Sequence, residues 1–153
     1  VKKRNAVWAI ALAAALAGGP VSAADGLVSV TSPHSVSDTL DKLAGVLESK
    51  GMTVFTRINH ADNAAKAGLT LRPTEVLIFG NPKIGTPLMN CAQSLAIDLP
   101  QKMLAWQDDA GQVHLGYNAP DYVRSRHAAS GCDAVFEKVT GALANFAKAA
   151  TAP

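Results

Sequence analysis

The apolar run Val76-Leu77-Ile78-Phe79 passes directly into Gly80-Asn81-Pro82-Lys83-Ile84-Gly85-Thr86-Pro87-Leu88-Met89. A short, continuous apolar run bounded by Gly and Pro reads as a buried strand, so it belongs in the middle of a sheet. Two glycines and two prolines in the connection are more than a turn needs. Thr86 suits a helix N-cap and Pro87 the first helical position, which predicts that the next helix starts there. Leu88, Ala92 and Leu95 would be its buried stripe. A central strand feeding a helix through this connection sets the architecture and makes residues 80–89 the best candidate for a site.

Periodicity fills in the rest. Leu27 to Thr31 reads as a first strand, and Ser35 with Asp38 opens a helix in a capping-box arrangement. Val36, Leu40, Leu43 and Leu47 share one face of that helix, and Gly51 ends it. Residues 53–59 are β-branched and read as a strand. Residues 62–68 hold one or two helical turns ended by Gly68. Strands at 102–107 and 113–117 flank the hairpin turn Asp109-Ala110-Gly111. Residues 120–127 read as a short helix. Ser130 with Asp133 is expected to cap the last helix, whose apolar face is Val135, Phe136, Val139, Leu143 and Phe146. The expected fold is α+β: a five-stranded, mostly antiparallel sheet with about three helices packed on one face, a two-layer sandwich.

The N-terminus is read as an export signal. Lys2-Lys3-Arg4 is followed by an apolar run of 12 residues, Ala6 to Ala17, then Gly18-Gly19-Pro20 and the small residues Val21-Ser22-Ala23. That is the order of a cleaved secretory signal peptide, and the run is short of the ~20 residues that span a bilayer. Residues 1–23 are read as the signal and 24–153 as a single domain. No Cys lies near the cleavage point, so neither a lipid anchor nor a lasting membrane anchor is expected. The location implied is the bacterial periplasm or the exterior.

Cleavage changes the charge argument. The chain carries 14 basic and 12 acidic residues; losing Lys2, Lys3 and Arg4 leaves 11 against 12, a net charge of −1. A near-neutral chain with no Lys/Arg run argues against a nucleic-acid partner. Chemistry driven by ATP is not expected in an exported chain.

The spacing Gly80-x4-Gly85-Thr86 invites comparison with a phosphate-binding loop, which needs Lys directly after its second glycine. Thr86 holds that place, so nucleotide hydrolysis is excluded. No GxGxxG, HExxH, CxxC or GxSxG occurs, and the four histidines, His34, His60, His114 and His127, form no pair at helical spacing. No cofactor is expected. Met89, Met103 and His60 are acceptable copper(I) ligands, but nothing in their spacing brings them together and no metal is expected.

What remains is a helix N-terminus, whose free N–H groups attract anions, with Lys83 and the Thr86 hydroxyl nearby. The plainer reading is architectural: the glycines permit the turn, the prolines stiffen it and Thr86 caps the helix. His60 closes a strand beside Asp62. Arg126-His127 closes a short helix, where cations are favoured by the dipole alone. Cys91 and Cys132 in an exported chain suggest a disulfide; two small buried hydrophobic residues are the alternative.

The segments Phe79 to Lys83, Gly85 to Met89, Asp98-Leu99-Pro100, Tyr117-Asn118-x-Pro120 and Arg126-His127, with His60 and Leu71-Arg72-Pro73, resemble the bacterial and archaeal family called domain of unknown function 302. The similarity runs from about Leu27 to Leu143. Cys91 and Gln101-Lys102 depart from the pattern. The resemblance implies an α+β fold and a homodimer, and no activity. It implies that His60, Asn81, Lys83, Thr86, Met89 and His127 belong to the family pattern.

Three functions compete. The first is an exported binding or accessory domain holding a small, anionic or amphiphilic ligand near residues 80–89. The second is an enzyme with His60 or His127 as general base and Lys83 or the helix N-terminus stabilising negative charge. The third is a homodimeric interaction module without a small ligand. The enzyme requires one pocket lined by His60, Lys83 and Thr86; the binding domain requires the pocket alone.

Overall fold

A computed structural model describes residues 25–153. The expected signal segment, residues 1–23, lies outside the described residues. The strands are β1 (Leu27–Ser32), β2 (Thr53–Asn59), β3 (Thr74–Gly80), β4 (Gln101–Gln107) and β5 (Val113–Asn118). They form one sheet in the order β1-β5-β4-β3-β2, and every pairing is antiparallel. The chain leaves β1 at one edge and crosses to β2 at the other through α1 (Val36–Ser49). It then returns strand by strand until β5 lies beside β1.

The expected α+β class and five-stranded antiparallel sheet are found. The number of helices differs. Among the described residues there are five α-helices: α1, α2 (His60–Lys66), α3 (Pro82–Cys91), α4 (Pro120–Arg126) and α5 (Asp133–Ala150), with a short 3-10 helix at Gln93–Ile97. The additional ones, α2 and α4, have seven residues each. They fall where one or two helical turns and a short helix are expected, and the count of about three leaves both out.

Leu40, Leu43 and Leu47 of α1 are fully buried, as the four-residue and three-residue spacing predicts. They pack against the β3 and β4 face that carries Leu77, Phe79 and Met103, with α5 alongside. Strand β3 alternates: Glu75, Leu77 and Phe79 are buried, while Val76 and Ile78 on the opposite face are half-buried. Its apolar run therefore serves one covered face and one partly open face.

Glu75 is the acidic residue in this buried row. It accepts a hydrogen bond of 2.6 Å from Nε of Arg57 on β2. The same guanidinium donates to Asp41 of α1 at 2.5 Å and to the Ser37 carbonyl at 3.2 Å. A buried carboxylate needs such a partner, and here the partner also ties an edge strand to the covering helix. At the same end of the sheet, the β4–β5 turn is organised by Asp108. Its carboxylate accepts from the Ala110 and Gln112 N–H groups and meets the buried His114 ring at 2.8 Å. Trp106 stacks on His114, with ring centres 5.1 Å apart.

Two expected caps are placed elsewhere. Asn81, not Thr86, caps α3: its Oδ1 accepts from the Lys83 N–H at 2.9 Å, and Pro82 takes the first helical position. Thr86 and Pro87 lie inside the helix. Asn-Pro is itself a start signal, and it precedes Thr-Pro in the chain. The helix also ends early, at Cys91, because Ala92 is extended (φ −152°, ψ 109°). Leu95 is still buried, but in the 3-10 helix. For α5 the cap residue is Cys132, with no side-chain hydrogen bond, in place of Ser130. Asp133 is turned instead to an ion pair with Arg124 of α4.

Candidate functional site

The strand–helix junction at residue 80 opens into a cavity of about 390 Å³. Its floor is the end of β3 and the start of β4, at Phe79, Gly80 and Pro100. On one side stands α3, with Gly85, Thr86, Leu88 and Met89; on the other is α5, with Val139, Ala142, Leu143 and Phe146. Met52 and Phe55 close the end next to β2. The volume lies within the range of small-molecule sites, ~300–1,000 Å³. The lining is almost entirely apolar.

Two glycines shape this space. A Cβ on Gly80 would stand 3.2 Å from the Phe55 ring and 3.5 Å from Pro100, so the absent side chain lets the edge strand's aromatic ring close over the junction. Gly85 sits inside α3, where glycine costs helix stability. A Cβ there would meet nothing within 4 Å. Gly85 thus leaves open space where α3 borders the cavity.

The expected site residues divide. Asn81, Thr86 and Met89 line the cavity; His60, Lys83 and His127 do not. The Asn81 side chain is engaged at both ends, since Oδ1 caps α3 and Nδ2 donates to the Gly51 carbonyl at 3.2 Å. His60 opens α2 in place of closing β2, and it is exposed. Asn59 before it caps that helix through the Asp62 N–H. The Lys83 side chain is exposed, away from the lining. Met89, Met103 and His60 lie apart: one on the cavity, one in the core and one on the surface.

His127 has a different setting. It follows α4, and its ring bridges Ser94 Oγ at 2.9 Å and Asp98 Oδ2 at 2.6 Å. Arg126 also bonds Asp98, at 3.2 Å. Cys91 and Cys132 are joined sulfur to sulfur, with Cα atoms 6.3 Å apart. These contacts fasten the 3-10 helix to the α4–α5 corner. That helix and the residues after it supply Ala96 and Leu99 to the cavity wall. The ring, carboxylate and hydroxyl thus hold the wall without facing the cavity. Tyr117, also in the family pattern, is a core residue on β5, and burial pushes its hydroxyl pKa up.

Sequence reasoning missed the cavity's α5 side and its one charged lining residue, Lys138. Lys138 precedes Ala142 by four residues and borders the apolar face of α5. That position is the one signal that could have marked it.

The family described as "Domain of unknown function DUF302" matches residues 28–146. This chain belongs to the DUF302 family. A crystal structure of an uncharacterized conserved protein DUF302 from Bacillus stearothermophilus superposes with a TM-score of 0.68 at 19% identity, covering 84% of this chain and 97% of that one. At that identity the likeness shows the fold alone. The chain is also 48% identical over 103 residues to "Fluoride-specific ion channel FluC 1" of Brucella suis, covering 67% of this chain and 41% of the relative. The protein of the same name in Brucella abortus matches at 48% with 38% of its length covered. The chain therefore spans about two fifths of the length of these curated relatives. Among the described residues no helix is long and apolar enough to cross a membrane.

Proposed function

We propose that this DUF302 chain is an exported binding domain whose small ligand occupies the cavity between α3, α5 and the ends of β3 and β4. The observation that carries this reading is the cavity itself: preformed, of ligand size and lined by apolar side chains at the strand–helix junction. The same lining favours binding over catalysis. Of the three residues the enzyme reading needs in one pocket, Thr86 lines the cavity, while His60 and Lys83 face elsewhere. Of the anionic or amphiphilic ligands expected, the apolar lining favours the amphiphilic kind, since Asn81 already caps the helix start.

Native mass spectrometry of the mature protein tests this. The expected result is a co-purifying small molecule that organic extraction removes. An empty protein that also fails to take up an apolar dye overturns the reading. The same spectrum reports the homodimer that the family resemblance implies, and its lightest species reports whether the chain begins near Ala24. The fluoride-channel relatives favour a second reading, in which the domain serves a membrane channel as an accessory part. Binding of the mature domain to such a channel in detergent supports it, and its absence removes it.

A further inference from the structure

The cavity's polarity and length define its occupant more narrowly, an inference that rests on the binding reading above. A buried ligand atom that hydrogen-bonds to water must find a replacement partner in the protein or lose its solvation. This lining has little to give. Both ends of the Asn81 amide are already bonded, to Lys83 N and Gly51 O. Thr86, exposed, and Gln101, half-buried, are the remaining uncharged polar side chains of the lining. Sugars, nucleobases and amino-acid head groups carry more polar groups than these few side chains can partner. The enclosed part of the ligand must be hydrocarbon.

One end of the cavity differs. Lys138 is the sole charged residue in the lining, it is exposed, and it makes no ion pair or hydrogen bond among the described residues. From there α5 presents Ala142 and then Phe146, whose ring packs edge-on against Phe79 at 6.3 Å. Eight residues of helix span roughly 12 Å. An extended hydrocarbon chain with bonds of about 1.5 Å covers that distance in roughly ten carbons. The volume of about 390 Å³ holds roughly a dozen groups the size of a water molecule, at ~30 Å³ each.

We propose that the cavity takes a single-chain carboxylic amphiphile of about eight to twelve carbons. Its tail lies along α5 toward Phe146 and its carboxylate meets Lys138.

Calorimetric titration of the mature chain with straight-chain carboxylates of six to fourteen carbons, kept below micelle formation, tests the proposal. Decanol serves as the uncharged counterpart. Affinity is expected to climb about fourfold per methylene and to level off near ten to twelve carbons, where the chain outgrows the cavity. Lys138→Gln is expected to weaken decanoate by about twofold to fivefold and to leave decanol unchanged. Equal affinity for decanoate and decanol, no levelling with length, or an unchanged decanoate affinity in Lys138→Gln each overturns the carboxylate assignment while leaving an apolar ligand in place. Failure of both decanoate and decanol to bind overturns the assignment and the cavity reading together. Sedimentation of the protein with phosphatidylglycerol vesicles, without binding of free decanoate, also overturns the proposal and assigns the cavity to the acyl chains of a membrane lipid.

Discussion

Replacing Gly85 by Leu is expected to stabilise the empty protein and to damage ligand binding. Gly85 lies within α3, between its Asn81 cap and Cys91, and a side chain there enters open space. Removing glycine from a helix interior contributes about 0.5–1 kcal/mol. Placing the leucine side chain among apolar walls adds about 1–2 kcal/mol, and freezing its rotamers costs back about 0.5–1 kcal/mol. The net gain is about 1–2 kcal/mol, or a rise in Tm of roughly 3–10 °C for a domain of this size. The four added carbons, at ~30 Å³ each, fill close to a third of a cavity of about 390 Å³. That displaces about three methylenes of ligand, worth ~0.8 kcal/mol apiece, so affinity falls about 50-fold or more. Gly85→Ala separates the two effects: it keeps the helix term and costs no more than about one methylene of binding. Urea denaturation of the empty protein and titration with decanoate read both quantities. A loss of stability beyond about 1 kcal/mol in Gly85→Leu means the space is not there in solution. A gain with unchanged affinity means the ligand sits elsewhere.

Three further outcomes follow from packing elsewhere in the fold. Arg57→Met leaves Glu75, whose side chain is 10% exposed, without its partner and should cost about 3 kcal/mol. Asp41→Asn, whose side chain is 65% exposed, should cost less than about 1 kcal/mol; equal losses in urea midpoints would show that the buried pair is not the anchor. The hydrogen bond from the His114 ring holds the Asp108 carboxyl below its ordinary value of 3.8. A carboxylate depressed in the folded state stabilises fully above the unfolded value and loses that contribution as pH falls through the folded one. Stability should therefore drop as the pH falls below 3.8, and Asp108→Asn should flatten that limb; an unaltered acid profile in the variant refutes the assignment. The Cys91–Cys132 bond closes a separation of 41 residues, for which loop entropy predicts about 4 kcal/mol. Denaturation with and without reductant measures it, and free thiols in protein purified without reductant would remove the bond from the account.

Much of the fold was legible because the signals are local. The spacing of Leu40, Leu43 and Leu47 is a helix face wherever it occurs, and all three are buried. The run Val76 to Phe79 was readable as a strand with strands on either side, and Asp109-Ala110-Gly111 as part of a hairpin turn. Errors arose where two local signals competed. Asn81-Pro82 and Thr86-Pro87 both read as helix starts, and the earlier one was taken. Once the helix has begun, Thr86 has no free end to cap. Ser130 lost to a corner in which Asp133 pairs with Arg124 and Cys132 with Cys91.

The site divides along the same line. The chain alone marked residues 80–89 through their density of Gly and Pro, named the family, and excluded phosphate-loop chemistry through Thr86. Those inferences need only residue types at fixed spacings. The separation of Lys83 and His60 from Asn81, Thr86 and Met89 was decided by the direction in which α2 and α3 turn their side chains. Lys138 joins the cavity from more than fifty residues down the chain because α5 crosses opposite α3. A cavity is the space that several elements together leave unfilled, here at Gly85. No single segment encodes that space, so it appears only once the helices are packed on the sheet.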